Sequence, residues 1–258
     1  MHRFVLTLAP LLLLAPAILH AQDGGERRYR VGLGAQLVPS YPGADSVSVR
    51  PLIDVARSSG ADPFDFEAPD ESFGFRIVET GGLSFGPVVG FEGRRRSSEV
   101  GGLPQVKASL EGGGFVQYQL SPALRLRGEV RQGITGHKGL VANLGGDVVA
   151  RDGDRWLFSV GPRVTLASDK YNSAYFSVSP TSSAATSVPT FNANGGVQAV
   201  GGTAALITQL TPRFGLYSYA KYDRLVGDAA RSPVTRLFGS RNQFSGGLAL
   251  TYSFTRRR

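Results

Sequence analysis

The 258-residue chain carries 28 Lys and Arg against 20 Asp and Glu, a formal net charge of +8, with 34 glycines and no cysteine. Without cysteine there is no disulfide framework and no thiolate, which removes thiol redox chemistry and structural zinc from consideration. The basic balance suits nucleic acid, an anionic surface or an arginine-rich interior, but no helix-turn-helix, zinc knuckle or RNA-binding aromatic signature accompanies it.

Residues 1–21 read MHRFVLTLAPLLLLAPAILHA, a basic start, an apolar run and a small residue at the expected cut after Ala21. That is the pattern of a secretory signal peptide. The run from Phe4 to Leu19 contains Pro10 and Pro16 and falls short of the roughly 20 residues a spanning helix needs. Cleavage leaves residues 22–258 as a single domain beginning at Gln22, with His137 as its one histidine. Loss of Arg3 leaves 27 basic and 20 acidic residues, a net charge of +7.

From there period-two alternation recurs and helical periodicity is hard to find. Strands are predicted near 30–38, 47–57, 62–68, 73–80, 82–93, 106–120, 123–135, 139–151, 155–167, 196–210, 213–225 and 243–254. The third and fourth are the weakest, so ten strands is the alternative count. In Arg155 to Ala167, for example, Trp156, Phe158, Val160, Pro162, Val164 and Leu166 share one face, and Ser159, Gly161, Arg163 and Thr165 the other. Leu124, Leu126 and Val130 likewise alternate with Arg125, Arg127, Glu129 and Arg131.

Alternation alone does not separate a soluble sandwich from a barrel. The segments are longer than the five or six residues usual in soluble strands. Short turns at Ser121-Pro122, Asp152-Gly153-Asp154 and Thr211-Pro212 alternate with long polar loops near Arg94 to Gln105, Ser168 to Asn194 and Gly227 to Asn242. The last strand, Gly246 to Phe254, closes on an aromatic before Thr255-Arg256-Arg257-Arg258. Together these predict an all-β fold, a closed antiparallel transmembrane β-barrel of about 12 strands in the outer membrane of a Gram-negative cell.

Several residue groups have two readings. The acidic stretch Asp62, Asp65, Glu67, Asp70 and Glu71 matches no calcium loop and is expected to be an exposed hairpin. Arg94-Arg95-Arg96 lies where a strand leaves the membrane and reads equally as a grip on lipopolysaccharide phosphates or as a solvated loop. His137 in Gly136-His137-Lys138-Gly139 is expected to be a solvated turn residue, since no serine lies in a Gly-X-Ser-X-Gly context to make it a hydrolase base. Tyr222-Asp223-Arg224 with Gly227-Asp228 reads as a strand end with Asp and Arg paired in the barrel mouth, in preference to a docking loop. Pro39-Ser40-Tyr41-Pro42-Gly43 is a turn. Arg125, Arg127, Arg131 and Arg163 face a lumen with Glu92, Glu111, Glu129 and Asp147 available as partners, so the lumen is either plugged or narrowly open.

The segments Gly32-Leu33-Gly34-Ala35, Pro39 to Ala44, Arg50-Pro51-Leu52, Tyr175 to Ser179, Tyr222 to Val234, Gly239 to Phe244 and Leu250 to Phe254 resemble the MltA-interacting protein (MipA/OmpV) family over essentially the whole mature chain. Leu225 to Val234 is the most specific piece. The resemblance implies an outer-membrane scaffold that holds a lytic transglycosylase and a bifunctional penicillin-binding protein in a murein-synthesising complex. It carries no catalytic, cofactor-binding or metal residue, and none is expected, so the chain is not expected to be an enzyme. A narrow diffusion channel for small solutes is the alternative.

Overall fold

The computed structural model describes residues 26–256; the predicted signal peptide lies outside them. Twelve strands form one antiparallel sheet: β1 (Arg27–Pro39), β2 (Val47–Ser59), β3 (Phe73–Gly74), β4 (Val78–Thr80), β5 (Leu83–Glu92), β6 (Ser109–Ser121), β7 (Leu124–Gly133), β8 (Leu140–Asp152), β9 (Trp156–Ala167), β10 (Gly196–Gln209), β11 (Phe214–Leu225) and β12 (Asn242–Arg256). Their order is β2-β1-β12-β11-β10-β9-β8-β7-β6-β5-β3, with β4 also on β5. From β4 to β12 sequence neighbours pair, β3 joins β5 beside β4, and β1 meets β12 in register from Arg27↔Arg256 to Leu37↔Gly246.

The predicted strands are present with small shifts of boundary except at two places. Residues 62–68 are not a strand, and 73–80 divides into β3 and β4. β2 and the β3–β4 ribbon are the two ends of the sheet, and among the described residues no backbone ladder joins them.

Curvature follows from a single contact. Arg28 on β1 and Asp154 in the β8–β9 turn are four to five strands apart in the sheet order, about 20 Å or more if the sheet were flat. Their side chains meet at 2.7 Å. The outward row is apolar and uncovered, with Val49 at 73% and Leu33 at 67% exposure, whereas on the inward row Arg125 and Asp147 are each at 1%. This inverts the pattern of a soluble sandwich, whose apolar face is the covered one.

Inward positions near the short-turn rim are filled by Leu52, Val149, Leu157, Ala205, Ile207, Tyr217, Tyr219 and Ala249. Inward glycines let the wall bend tightly: a Cβ built on Gly161 would lie 1.7 Å from Gly146 O. Relieving that overlap requires the β8–β9 backbones to separate, at a cost of ~1–3 kcal/mol typical of overpacking. Gly161→Ala is therefore expected to lower the temperature at which the folded, fast-migrating form is lost in heat-modifiability gels, while Gly153→Ala, in a turn whose Cβ meets nothing within 4 Å, serves as the control for backbone strain alone.

Candidate functional site

The interior is organised by the segment between β2 and β3, which climbs inside the curled sheet from the short-turn rim. Phe64 N–H donates to Asp154 Oδ1 at 2.9 Å, and Arg151 Nη1 donates to Phe64 O at 2.9 Å. Arg28 and Arg30 each stack over the Phe64 ring at 5.1 Å, and Arg125 stacks over Phe66 at 4.4 Å. The acidic stretch expected to be an exposed hairpin is thus largely an interior element. The reason is electrostatic: the wall turns its arginines inward, and buried guanidinium groups need anions.

The resulting ion pairs, with a hydrogen bond from His137 at one end, run without interruption across the interior. His137 Nε2 meets Glu111 at 2.8 Å; Glu111 meets Arg131 at 2.7 Å; Arg131 and Glu129 are paired; and Glu129 meets Arg127 at 3.4 Å. Arg127 reaches Glu71 at 3.6 Å, Glu71 pairs with Arg125, and Arg125 meets Asp147 at 2.7 Å. Asp147 also holds Arg163 at 2.6 Å. Arg163 meets Asp70 at 2.9 Å, which binds Lys221 at 3.1 Å, and Lys221 binds Asp223 at 3.1 Å.

The structure joins every lumen arginine named from the sequence to this network, together with Glu111, Glu129 and Asp147. Glu92 stands apart, accepting from Gly93 N–H at 2.8 Å and Tyr171 Oη at 3.4 Å. The pair in the mouth is Lys221–Asp223, whereas Arg224 and Tyr222 both turn to Asn242, at 3.1 and 2.9 Å. Lys221 and the inward role of Asp70 and Glu71 were missed. The odd-numbered inward row of β11 was the one signal for Lys221.

The opposite rim is covered by a lid. The long loops, expected to be polar surface segments, fold into α1 (Asp169–Phe176), α2 (Pro180–Thr186), α3 (Gly227–Arg231) and α4 (Pro233–Phe238). Tyr41, Val100, Leu103, Tyr175, Phe176, Ala229 and Val234 belong to one apolar cluster beneath them. Ser168 and Ser179 cap α1 and α2 through their side chains. Ser232 caps α4 and donates to Phe176 O at 2.6 Å. These Ser caps were the local signals for helices.

Of the arginine triplet, Arg94 is exposed, Arg95 is buried and donates to the carbonyls of Tyr175 and, at 2.8 Å, Pro104, and Arg96 pairs with Glu99 at 3.3 Å. The triplet is therefore split between solvent and a pin that holds the lid. Tyr41, in the β1–β2 turn, is buried under it, and that burial pushes its hydroxyl up to about 12. Gly43 has φ +92°, and a Cβ there would lie 2.9 Å from the Phe176 ring.

His137 is a correction: it is buried at 3% exposure, not solvated. Its Nδ1 accepts from Gly139 N–H at 3.0 Å, which puts the proton on Nε2 facing Glu111. Neither nitrogen is left for a serine hydroxyl. The ring packs edge-on against Tyr171 at 4.5 Å, so the residue ties the ion network to the lid.

Between the interior segment and the lid lies a chamber of about 640 Å³, lined among others by Tyr41, Asp70, Glu92, Arg131, Tyr171 and Lys221. That volume suits a small ligand.

The family model described as MltA-interacting protein MipA matches residues 31–254. No curated protein matches. Similar solved structures include an outer membrane channel from Pseudomonas putida F1, at 12% identity and TM-score 0.37, with 93% of this chain and 100% of that chain covered. The toluene transporter TodX of Pseudomonas putida aligns at 12% identity and TM-score 0.34, covering 92% and 90%. OmpT of Vibrio cholerae aligns at 9% identity and TM-score 0.33, covering 93% and 100%.

Asp147 is the anion shared by Arg125 and Arg163, so Asp147→Leu is expected to leave these two buried cations with Glu71 and Asp70 as their remaining carboxylates and cost ~3 kcal/mol, the low end for breaking a buried pair, read as a lower urea midpoint of the refolded protein. At the lid, Asp228 accepts from Asn194 N–H at 2.9 Å and pairs with Arg231; the hydrogen bond from Asn194 leads in holding its carboxyl below the usual range. A lowered folded value contributes stability above the unfolded pKa of about 4 and loses it as pH falls through the folded value. Limited proteolysis of the lid should thus accelerate on acidification below about pH 4, and Asp228→Asn should be nicked faster at neutral pH with a smaller acid response.

Proposed function

The chain belongs to the MltA-interacting protein family, and on that premise we propose that residues 22–258 form one outer-membrane β-barrel domain, exported by the signal segment 1–21, that serves as a non-enzymatic scaffold for peptidoglycan-remodelling enzymes. The family's printed name supplies the first partner class, a lytic transglycosylase, and a bifunctional penicillin-binding protein is the second. The observation that carries the scaffold reading is that the interior is occupied by the protein's own chain: Phe64 and Phe66 over the apolar tier, then the Asp70–Glu71 ion pairs, then the lid. A solute path from rim to rim would have to dismantle all three.

The membrane placement is supported by where the aromatic residues fall. Tyr222 and Phe244 pack at 4.9 Å near the lid, and Tyr29–Phe254 and Phe214–Tyr252 at 5.5 and 5.2 Å near the short turns. Phe244 and Phe254 are ten residues apart on β12, about 33 Å along a strand and about 25 Å along the normal at a tilt near 40°. That height matches the apolar band between the two aromatic girdles of outer-membrane barrels.

In such barrels the short turns face the periplasm, where peptidoglycan lies. The scaffold surface is therefore the short-turn rim, which presents the exposed side chains of Arg57, Arg155, Arg213 and Arg256. The test is capture from a gently solubilised, cross-linked envelope with folded protein as bait and heat-unfolded protein as control. Recovery of a lytic transglycosylase or penicillin-binding protein by the folded bait alone, reduced ~10-fold or more by Arg155→Glu with Arg213→Glu, supports the scaffold. Recovery of neither, together with a steady single-channel conductance that changes in Arg125→Ala and Arg127→Ala, supports the diffusion channel instead.

A further inference from the structure

The two ends of the sheet face one another without pairing, and the side chains there show that the wall is open. On β2 the exposed row is Val47, Val49, Ile53 and Val55, which places Arg50 on the inward row with Leu52 and Asp54. On β5 the exposed row is Leu83, Phe85, Val89 and Phe91, so Glu92 faces inward and Phe91 outward. Yet the Arg50 guanidinium lies 5.5 Å from the Phe91 ring centre. An inward side chain reaches an outward ring only through a gap between the strands.

The pairing of β3 with β5 stops at Phe73↔Val89, leaving Gly90 to Glu92 without a partner on that side among the described residues. The edges converge again at the rim, where a Cβ on Gly93 would lie 2.0 Å from Ser40 O and 2.7 Å from Arg50 Nη2.

The chamber opens through this seam, because its lining includes the outward Phe73, Val89 and Phe91 as well as the inward Glu92. Eight charged residues line it: Arg50, Asp70, Glu71, Glu92, Glu111, Arg131, Lys221 and Asp223. Six of them are held in the ion network. The other two, Arg50 and Glu92, have no ion-pair partner among the described residues and sit on opposite sides of the opening. Glu92 accepts from Gly93 N–H and the Tyr171 hydroxyl, with Arg50 and Arg131 acting on it at longer range than an ion pair, and Arg50 stacks on the Phe91 ring.

We propose that the seam is a lateral portal and that the chamber mouth binds a zwitterionic amphiphile, with its anionic group on Arg50, its ammonium on Glu92 and its apolar tail along Phe73, Val89 and Phe91. Both charges are half-buried and offset from each other, so one ligand carrying both signs satisfies both. A ligand of a single sign leaves one of them unmatched. The apolar outer row continues from the opening into the bilayer, so the tail need not leave lipid. This reading does not depend on the scaffold partners, and the capture experiment above and the titration below fail independently.

The test uses the folded protein in detergent micelles, titrated with dihexanoylphosphatidylethanolamine, with dihexanoylphosphatidylglycerol, which lacks the ammonium, and with glycerophosphoethanolamine, which lacks the tails, each followed by native mass spectrometry. The ethanolamine lipid is expected to bind ~10-fold or more tighter than either comparison. Glu92→Gln should remove its advantage over the glycerol lipid and leave the glycerol lipid unchanged. Arg50→Gln should weaken both lipids, and Arg50→Lys should retain the preference. If Glu92→Gln fails the heat-modifiability check for folding, the two Arg50 variants decide. Equal binding of the two lipids by the unsubstituted protein, or variants that bind as it does, overturns the proposal; tight binding of glycerophosphoethanolamine alone overturns the tail placement and the lateral portal with it.

Discussion

Burying an arginine costs several kcal/mol unless an anion meets it, and the wall turns Arg30, Arg125, Arg127, Arg131 and Arg163 inward. The strands supply some of the anions: Asp54 for Arg30, Glu111 and Glu129 for Arg131, Asp147 for Arg125 and Arg163. Arg125 and Arg163 converge on one carboxylate, which leaves the middle of the interior one anion short. Glu71 makes up that shortfall from outside the sheet, and Asp70 beside it adds a carboxylate shared by Arg163 and Lys221. The course of residues 60–72 follows from this, because only a segment threaded through the interior brings those carboxylates to β7, β9 and β11 together. Phe64 and Phe66 then fall beneath guanidinium planes and over the apolar tier, so the same segment closes the interior on two levels.

The lid depends on this network at its lower side. Glu111, which holds Arg131, also holds His137, and His137 packs against Tyr171 on α1. Arg95 pins the end of the same helix from the β5–β6 loop. Leu225 to Val234, on which the resemblance to the family chiefly rested, is where β11 turns into the lid: Leu225, Ala229, Ala230 and Val234 are buried in its core and Ser232 ties α4 to α1. Its distinctive spelling is a consequence of packing, since a short helical corner with two alanines brings α3 close against α1 and β10.

The strands were readable because alternation is a local property: each residue's face depends on its parity, and a wall with one apolar outward and one inward row imposes that parity along ten to fifteen residues. The interior segment was not readable, because Asp70 and Glu71 are acidic residues in a Pro-containing stretch whose role depends on partners 54 to 151 positions away. His137 escaped for the same reason, its burial being decided by α1 and Glu111 and by nothing in Gly136 to Gly139. Lid helices left a fainter local trace in Ser168, Ser179 and Ser232, whose capping value is realised only once Tyr171, Tyr175 and Phe176 have an apolar floor to cover.

The unsealed seam and the filled interior are two sides of one constraint. Residues 62–68 were expected as a strand, and a strand there, running beside β2, would have completed the wall with backbone hydrogen bonds that an apolar surround strongly favours. Those residues and the carboxylates that follow them cannot both pair with β2 and reach Arg125 and Arg163. The structure resolves the competition toward the buried charges, whose desolvation without partners costs more than a short stretch of edge. The remaining edge is eased locally: Pro51 lies on β2, an edge strand where a missing N–H is tolerated, the β3–β4 ribbon covers β5 as far as Val89, and Arg50 and Phe91 occupy what is left open. The position of the opening is therefore set by how much chain the ion network draws into the interior.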